Sequence, residues 1–461
     1  MLFDEAKRYL LSLGHETLTI KLGLKNSETL LGALENPQNL YPSVQIAGTN
    51  GKGSTAVFLD SICRAAGIYT GLFTSPHLVS ITERIRIDGE SIDENQFGRL
   101  TGIIKAAAEK LVTEDKLPAL PTFFEHVTAI ALLAFAEARV ELAILETGLG
   151  GRLDSTTAAR ADIVAITSVA MDHEEYLGHT IEEISSEKAA IIRPGVTAVV
   201  GPQEERALDV LVRRCEEVRV TPRFIVNANS NSNFPTNRAG YVLNWRLIDA
   251  TRDGRCRATF HSSHDNYEEV RLGLRGRHQM DNAAVAIALA EALRDRGFRI
   301  TSPQIVEGLE TATHAGRLEL WPGKSPILFD GAHNSASTQA LRNYLDEFGS
   351  QPITLIFGAM RDKRVQEMLG ILLPKVHELI LTALDNPRAA SLEQLQKVAQ
   401  AFLENSRIHL ASSPQEALRR AREVTQSEGI ILITGSLYLI GDAQRILKSG
   451  TASVAHDRTS H

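Results

Sequence analysis

Ile46-Ala47-Gly48-Thr49-Asn50-Gly51-Lys52-Gly53-Ser54-Thr55 decides the fold. The short β-branched run Val44–Ala47 predicts a strand, and the residues from Lys52 onward predict a helix. Glycines between a strand and a helix let backbone N–H groups close around phosphate oxygens, and the helix N-terminus adds positive potential. Lys52 is placed to reach the outer phosphates, and a hydroxyl from Ser54 or Thr55 to reach Mg²⁺. The spacing departs from the commonest loop, G-x-x-x-x-G-K-[ST], because position 46 is Ile and a glycine follows the lysine. The lysine and the strand-to-helix placement speak against a glycine-rich turn that binds nothing.

Around this loop, short β-branched runs alternate with longer amphipathic stretches, the pattern of βαβ units on parallel sheets. In the first half the predicted strands are Val44–Ala47, Tyr69–Phe73, Glu141–Leu145, Ile163–Thr167 and Ala198–Val200, with helices at Gln96–Leu111 and Phe123–Ala138. From Phe224 to Leu274, including the Asn-rich Asn227–Asn237, strand-like runs with polar turns predict an antiparallel insertion on the sheet edge. His278–Arg296 reads as a helix. A second alternating series has strands at Ile327–Phe329, Ile353–Phe357, Leu379–Thr382 and Ile430–Ile433. The expected fold is therefore α/β. Residues 1–311 would form a phosphate-loop ATPase domain, with a mostly parallel sheet and a small antiparallel edge. Residues 312–449 would form a smaller Rossmann-like α/β domain, and 450–461 a frayed tail.

Composition narrows the class. The chain has 461 residues, 43% hydrophobic and 23% charged, enough apolar content for a sizeable core and too much for disorder. Its net charge of −7 argues against nucleic acid or an anionic membrane as the main partner. The longest apolar stretch, Val127–Ala136, is too short to span a bilayer, and Met1–Glu5 lacks the features of a signal peptide. Cys63, Cys215 and Cys256 stand far apart without a C-x-x-C pair, which suits a reducing cytoplasm and excludes a Cys-rich zinc site.

Further motifs follow in order: T-S-P-H-L at Thr74–Leu78, E-T-G-L-G-G-R-L-D at Glu146–Asp154, and Asp172-His173 before Leu177-Gly178 and Glu187-Lys188-Ala189. Then come His278-Gln279 with Asn282-Ala283, Gly316-Arg317 with Glu319, and D-G-A-H-N at Asp330–Asn334. G-A-M-R-D-K at Gly358–Lys363 and G-S-L-Y-L at Gly435–Leu439 complete the series. The set, over about residues 20 to 445, resembles the folylpolyglutamate synthases and bifunctional dihydrofolate synthase/folylpolyglutamate synthases of the Mur ligase superfamily. The resemblance implies an ATP-dependent ligase that adds L-glutamate to dihydropteroate or a reduced folate through an acyl phosphate, as a cytoplasmic monomer. Two alternatives are another Mur-type ligase joining an amino acid to a cell-wall nucleotide precursor, and a non-enzymatic nucleotide-dependent switch, which would bind nucleotide without glutamate-dependent ADP release. T-S-P-H-L and E-T-G-L-G-G-R-L-D favour folates, and little chain precedes the loop to form a UDP-sugar module.

Glu146 ends an apolar strand beside the phosphate loop, where a carboxylate suits Mg²⁺ or equally a helix N-cap. The resemblance implies that Ser75, Glu146 and His173 hold the metal, with two Mg²⁺ expected, and that Lys188 is carbamylated by CO₂. Phosphate-loop logic alone would nominate Ser54 for the metal; it is placed with ATP, beside Asn50, Gly51, Lys52 and Gly53. Asn282, Arg317 and Asp330 match the family's ATP contacts, and His333 and Ser436 match positions near the incoming glutamate. Arg388 is a weaker candidate for a glutamate carboxylate. Thr122, Phe123, Phe124, Glu125, Leu153, Asp154 and Ser155 match contacts to dihydropteroate; the two phenylalanines would stack on a pterin or fill core. Lys52, Lys188 and His333 are the expected catalytic residues.

Overall fold

A computed structural model describes residues 1–14, 23–227 and 241–457, and its strands form two sheets. In the first half these are β1 (Ser43–Ala47), β2 (Thr70–Phe73), β3 (Ile85–Ile87), β4 (Glu90–Ser91), β5 (Leu142–Glu146) and β6 (Ile163–Ile166). They continue as β7 (Thr197–Val200), β8 (Arg223–Asn227), β9 (Tyr241–Ala250), β10 (Arg255–Ser262) and β11 (Asn266–Arg275). Their spatial order is β11-β10-β9-β8-β7-β6-β1-β5-β2-β3-β4. β1 lies between β5 and β6 and is parallel to both. The chain thus leaves β1 toward one side and later crosses to the other. That reversal opens a crevice beyond the strands' C-terminal ends, the usual ligand position in such sheets.

Every residue of β1, β2, β5 and β6 is buried, as in strands covered on both faces, and the polar Gln45 of β1 donates there to the Thr156 and Thr157 hydroxyls. Val44, Ile46 and Ile144 pack against the loop helix Lys52–Ala65 and the helix His278–Asp295, buried continuously from Asn282 to Leu293. On the opposite face Ala143 and Leu145 meet helices Glu94–Thr113 and Phe123–Ala138. Each fully buried aliphatic side chain contributes about 1.5–3 kcal/mol, so the platform behind the crevice is rigid.

The second sheet holds β12 (Glu319–Trp321), β13 (Ile327–Phe329), β14 (Ile353–Phe357), β15 (Val376–Thr382), β16 (Ile408–Ala411) and β17 (Ile430–Thr434). Their order is β12-β13-β17-β14-β15-β16, all parallel except β12. Helix Ser302–Thr311 ends before the linker, and β12 begins at Glu319. The last helix runs from Leu437 to Asp457, so helical backbone continues through most of the segment expected to fray. It passes so close to the Thr74–Leu78 loop that a Cβ on Gly441 would lie 1.8 Å from the Leu78 carbonyl oxygen.

The edge expected from Phe224 is antiparallel only in β9–β11. β8 pairs parallel with β7 and with β9. Phe224 and Ile225 point to opposite faces and both are buried, the condition of an interior parallel strand. Residues 228–240, which include all of the Asn-rich tract but Asn227, lie outside the described residues. A further antiparallel margin, β3 and β4, closes the other end; strands of three and two residues carry too little periodicity to be read.

Candidate active site

The phosphate loop turns from β1 into its helix at Gly51, whose φ of +90° lies in the left-handed region. A Cβ there would meet Asn282 Oδ1 at 2.2 Å, so glycine is required twice over. Lys52 Nζ donates to the loop's own Gly48 and Thr49 carbonyls, each at 3.1 Å. Burial lowers its pKa, opposed by Glu146 and Asp172. Asn282 Nδ2 donates to Gln279 Oε1 (2.9 Å), and Gln279 Nε2 to Ser54 Oγ (3.4 Å).

Glu146 sits at the C-terminal end of β5, one strand from the loop, and Oε2 accepts from the Ser75 N–H at 3.0 Å. Burial raises its pKa; Lys52, the Ser75 N–H and Arg317 pull it back. His173, left-handed at φ 51°, follows Asp172; burial lowers its pKa to about 3, so its imidazole is neutral. A buried carboxylate and a hydroxyl are oxygen donors of the kind a hard divalent cation takes, and a neutral imidazole can add a nitrogen donor. No group of three His, Cys, Asp or Glu side chains converges among the described residues.

Lys188 is not the solvated helix lysine its surroundings in sequence allow. It is 3% exposed, and Nζ donates to the Gly48 carbonyl at 2.8 Å. Burial, with Lys52 nearby, lowers its pKa to about 7.

The second sheet supplies the facing wall. Asp330, at the end of β13, accepts from the Leu318 and Ala332 N–H groups, both at 3.0 Å, and burial raises its pKa against Arg317. Arg317 lies against the same loop: a Cβ on Gly331 would meet its Nη1 at 1.8 Å. His333 Nδ1 donates to the Gly331 carbonyl (2.8 Å). Ser436 Oγ accepts from the Tyr438 N–H (3.2 Å), and Arg388 is paired with Asp362 (2.8 Å).

Asp172 joins the two walls. Lys363 Nζ donates to its Oδ1 at 2.6 Å and Asn334 Nδ2 to its Oδ2 at 3.0 Å, while His333 Nε2 stands 3.6 Å away. Asn334 also donates to Asn50 Oδ1 of the phosphate loop (3.1 Å). Burial alone would raise the Asp172 pKa; His333, His173 and Lys363 outweigh it and hold the carboxyl well below its usual range. Asp172 and Lys363 stand in the sequence motifs, but no rule of spacing gives them this role. Their signal was two charged residues next to candidate site histidines and turns.

A cleft of about 430 Å³ is lined by Asn50–Ser54, Ser75, Glu146, His173, Lys188, Asn282, Arg317, Asp330, His333, Arg388 and Ser436. It also reaches Thr122, Phe124, Glu125, Leu153, Asp154 and Ser155. Phe123 is the exception among the expected site residues: it is 5% exposed, belongs to the core and does not line the cleft. Consecutive helical residues point about 100° apart, so one phenylalanine of the pair faces inward and the other reaches the cleft. Thr122 and Glu125 cap each other across the helix start, and Asp154 accepts from the Leu149 and Thr156 N–H groups. These three build the wall as much as they face the cavity.

The Mur ligase middle domain matches residues 46–290, and the Mur ligase, glutamate ligase domain matches residues 316–437. The dihydrofolate synthase/folylpolyglutamate synthase of Bacillus subtilis is 34% identical over 432 residues, covering 93% of this chain and 96% of that protein. The chain belongs to the dihydrofolate synthase/folylpolyglutamate synthase family of Mur ligases. Among solved members of this family, the Mycobacterium tuberculosis folylpolyglutamate synthase complexed with ADP superposes with a TM-score of 0.87 at 29% identity, over 96% of this chain and 98% of that one. A bifunctional folylpolyglutamate synthase/dihydrofolate synthase with Mn, AMPPNP and L-glutamate bound has a TM-score of 0.80 at 26% identity, over 97% and 98%. Family membership makes the chain an ATP-dependent ligase and favours the folate reading over a cell-wall precursor. No helix among the described residues is long and apolar enough to cross a membrane.

Proposed function

We propose that this ligase carries out both family reactions, joining L-glutamate to dihydropteroate and to reduced folates. The observation that carries the reading is a single cleft: the phosphate loop and Glu146 on one wall face Asp330, His333 and Ser436 on the other. The acceptor's carboxylate oxygen attacks the γ-phosphorus of ATP, ADP leaves, and an acyl phosphate forms. Lys52, at the start of the loop helix, offsets the charge of the outer phosphates. Mg²⁺, held by Ser75, Glu146, His173 and a carbamylated Lys188, would supply Lewis-acid charge stabilisation there.

The amine of glutamate then attacks the acyl carbon, and phosphate departs. His333 and Ser436 position the amino acid, with Arg388 near its carboxylates. Phe124, Leu153 and the Asp154–Ser155 turn form the apolar and polar surfaces for the pterin. Lys188 supports the modification by its geometry. Attack on CO₂ needs a neutral amine, and a pKa of about 7 gives one in quantity at neutral pH. A carbamate also turns a cation beside Lys52 into an anionic ligand.

ADP release measured with dihydropteroate and with tetrahydrofolate, each with and without glutamate, tests the proposal. Both acceptors should give glutamate-dependent release. Activity on tetrahydrofolate alone would confine the protein to polyglutamylation.

A further inference from the structure

The linker between the two sheets carries a histidine that the reaction as described does not use. His314 follows the end of helix Ser302–Thr311 and precedes Arg317 by three residues. Its ring folds back beneath the phosphate loop. Nδ1 lies 3.3 Å from Ser54 Oγ, and Cε1 would lie 3.0 Å from a Cβ on Gly53. The Glu146 carboxylate oxygens are 3.3 and 3.5 Å from that same point, so His314 reaches the loop from the side of the metal-facing carboxylate.

Ser54 has two protein partners with different roles. Gln279 Nε2 can only donate to its oxygen, so a ring nitrogen that accepts takes the hydroxyl proton. Burial, with Arg317 and Arg86 nearby, holds the His314 imidazole well below its ordinary pKa, and a neutral ring provides that acceptor. The remaining lone pair of Ser54 Oγ is then free to meet a ligand in the cleft that Ser54 lines. Three residues on, Arg317 lies in the same cleft against Gly331.

We infer that His314 is a positioning residue for nucleotide binding: it fixes the Ser54 hydroxyl and registers the linker on the phosphate loop, so that Arg317 arrives at the bound phosphates. The inference rests on the phosphate-loop reading and adds to it a contact from outside the cleft. A merely space-filling side chain would do neither.

Titration calorimetry with ADP on the full chain tests this, with melting temperature checking that each variant is folded. His314→Phe keeps an aromatic ring and removes the acceptor, and should weaken ADP about tenfold. His314→Asn places an amide oxygen where Nδ1 stood and should bind within about twofold of wild type. In a Ser54→Ala background, His314→Phe should add no further loss. Equal losses in the Phe and Asn variants, or a full further loss in the double variant, would overturn the inference. Lys52→Ala is measured alongside. Wild-type ADP affinity in Lys52→Ala overturns the phosphate-loop reading itself. Weakened binding there with none in His314→Phe overturns the role of His314 alone.

Discussion

Replacing Lys363 with methionine removes a buried cation that bridges the two walls of the cleft. Lys363 Nζ and Asp172 Oδ1 are 2.6 Å apart, with side chains 9% and 7% exposed. Removing one partner of so buried a pair costs about 3–5 kcal/mol, because the remaining charge stays desolvated. Asp172 keeps the Asn334 amide at 3.0 Å, which places the loss at the lower end, about 3 kcal/mol. Methionine preserves most of the lysine stem, so the loss falls on closure of the cleft and less on packing. A shift of that size lowers the closed fraction on the order of 100-fold where closure is not already saturated.

The assay is glutamate-dependent ADP release. Lys363→Met should lower kcat by about 100-fold at most, and Asp172→Asn/Lys363→Met should recover part of it because no unpaired charge remains. The pair's pH dependence follows from its sign. Asp172's folded pKa is depressed, so its contribution is fully present above the ordinary carboxylate range and is lost as pH falls through the folded value. The wild-type clasp is therefore flat across neutral pH. Lys363→Met within about twofold of wild-type kcat would refute the clasp.

Lys52→Ala should lose on the order of 100-fold or more in kcat, since the cleft's other lysines are engaged elsewhere, Lys188 at the Gly48 carbonyl and Lys363 at Asp172; near-wild-type turnover at saturating ATP would contradict the loop's role. Carbamate on Lys188, followed with ¹³C-bicarbonate by NMR, should increase from pH 6 to 8 as the amine neutralises through about 7, and Lys188→Ala should lose most activity with partial rescue by a small carboxylate. An absent carbamate signal in fully active enzyme would reject the modification. Phe123→Ala should cost about 3–5 kcal/mol of stability in denaturant melts, whereas Phe124→Ala should chiefly raise KM for the pterin substrate. Equal effects of the two on stability and KM would contradict the assignment of one ring to core and the other to cleft.

The parts of the fold legible in sequence are those fixed by local chemistry. β1 and the loop helix follow from a short β-branched run, a glycine that permits φ of +90°, and a lysine at the helix start. Helix Phe123–Ala138 was readable to the residue because Thr122 and Glu125 form a capping box at its start. What was not legible depends on tertiary partners. The Asp172–Lys363 pair joins residues 191 apart on different sheets, and nothing near either one announces the other. β8 looks like the start of an antiparallel edge until its burial on both faces is known. Phe123 and Phe124 are chemically identical neighbours, separated only by the rotation between helical positions. Lys188 lies in an unremarkable helical context, and only the fold brings its amine to Gly48.

The central claim is that both walls of the cleft act on one acyl phosphate. It is tested most directly by supplying dihydropteroate with ¹⁸O in its carboxylate, together with ATP and glutamate, and analysing the released phosphate by mass spectrometry. The oxygen that attacks the γ-phosphorus remains on phosphate when the amine displaces it, so each phosphate should carry one labelled atom. Glutamate-dependent ADP release with unlabelled phosphate would contradict the account.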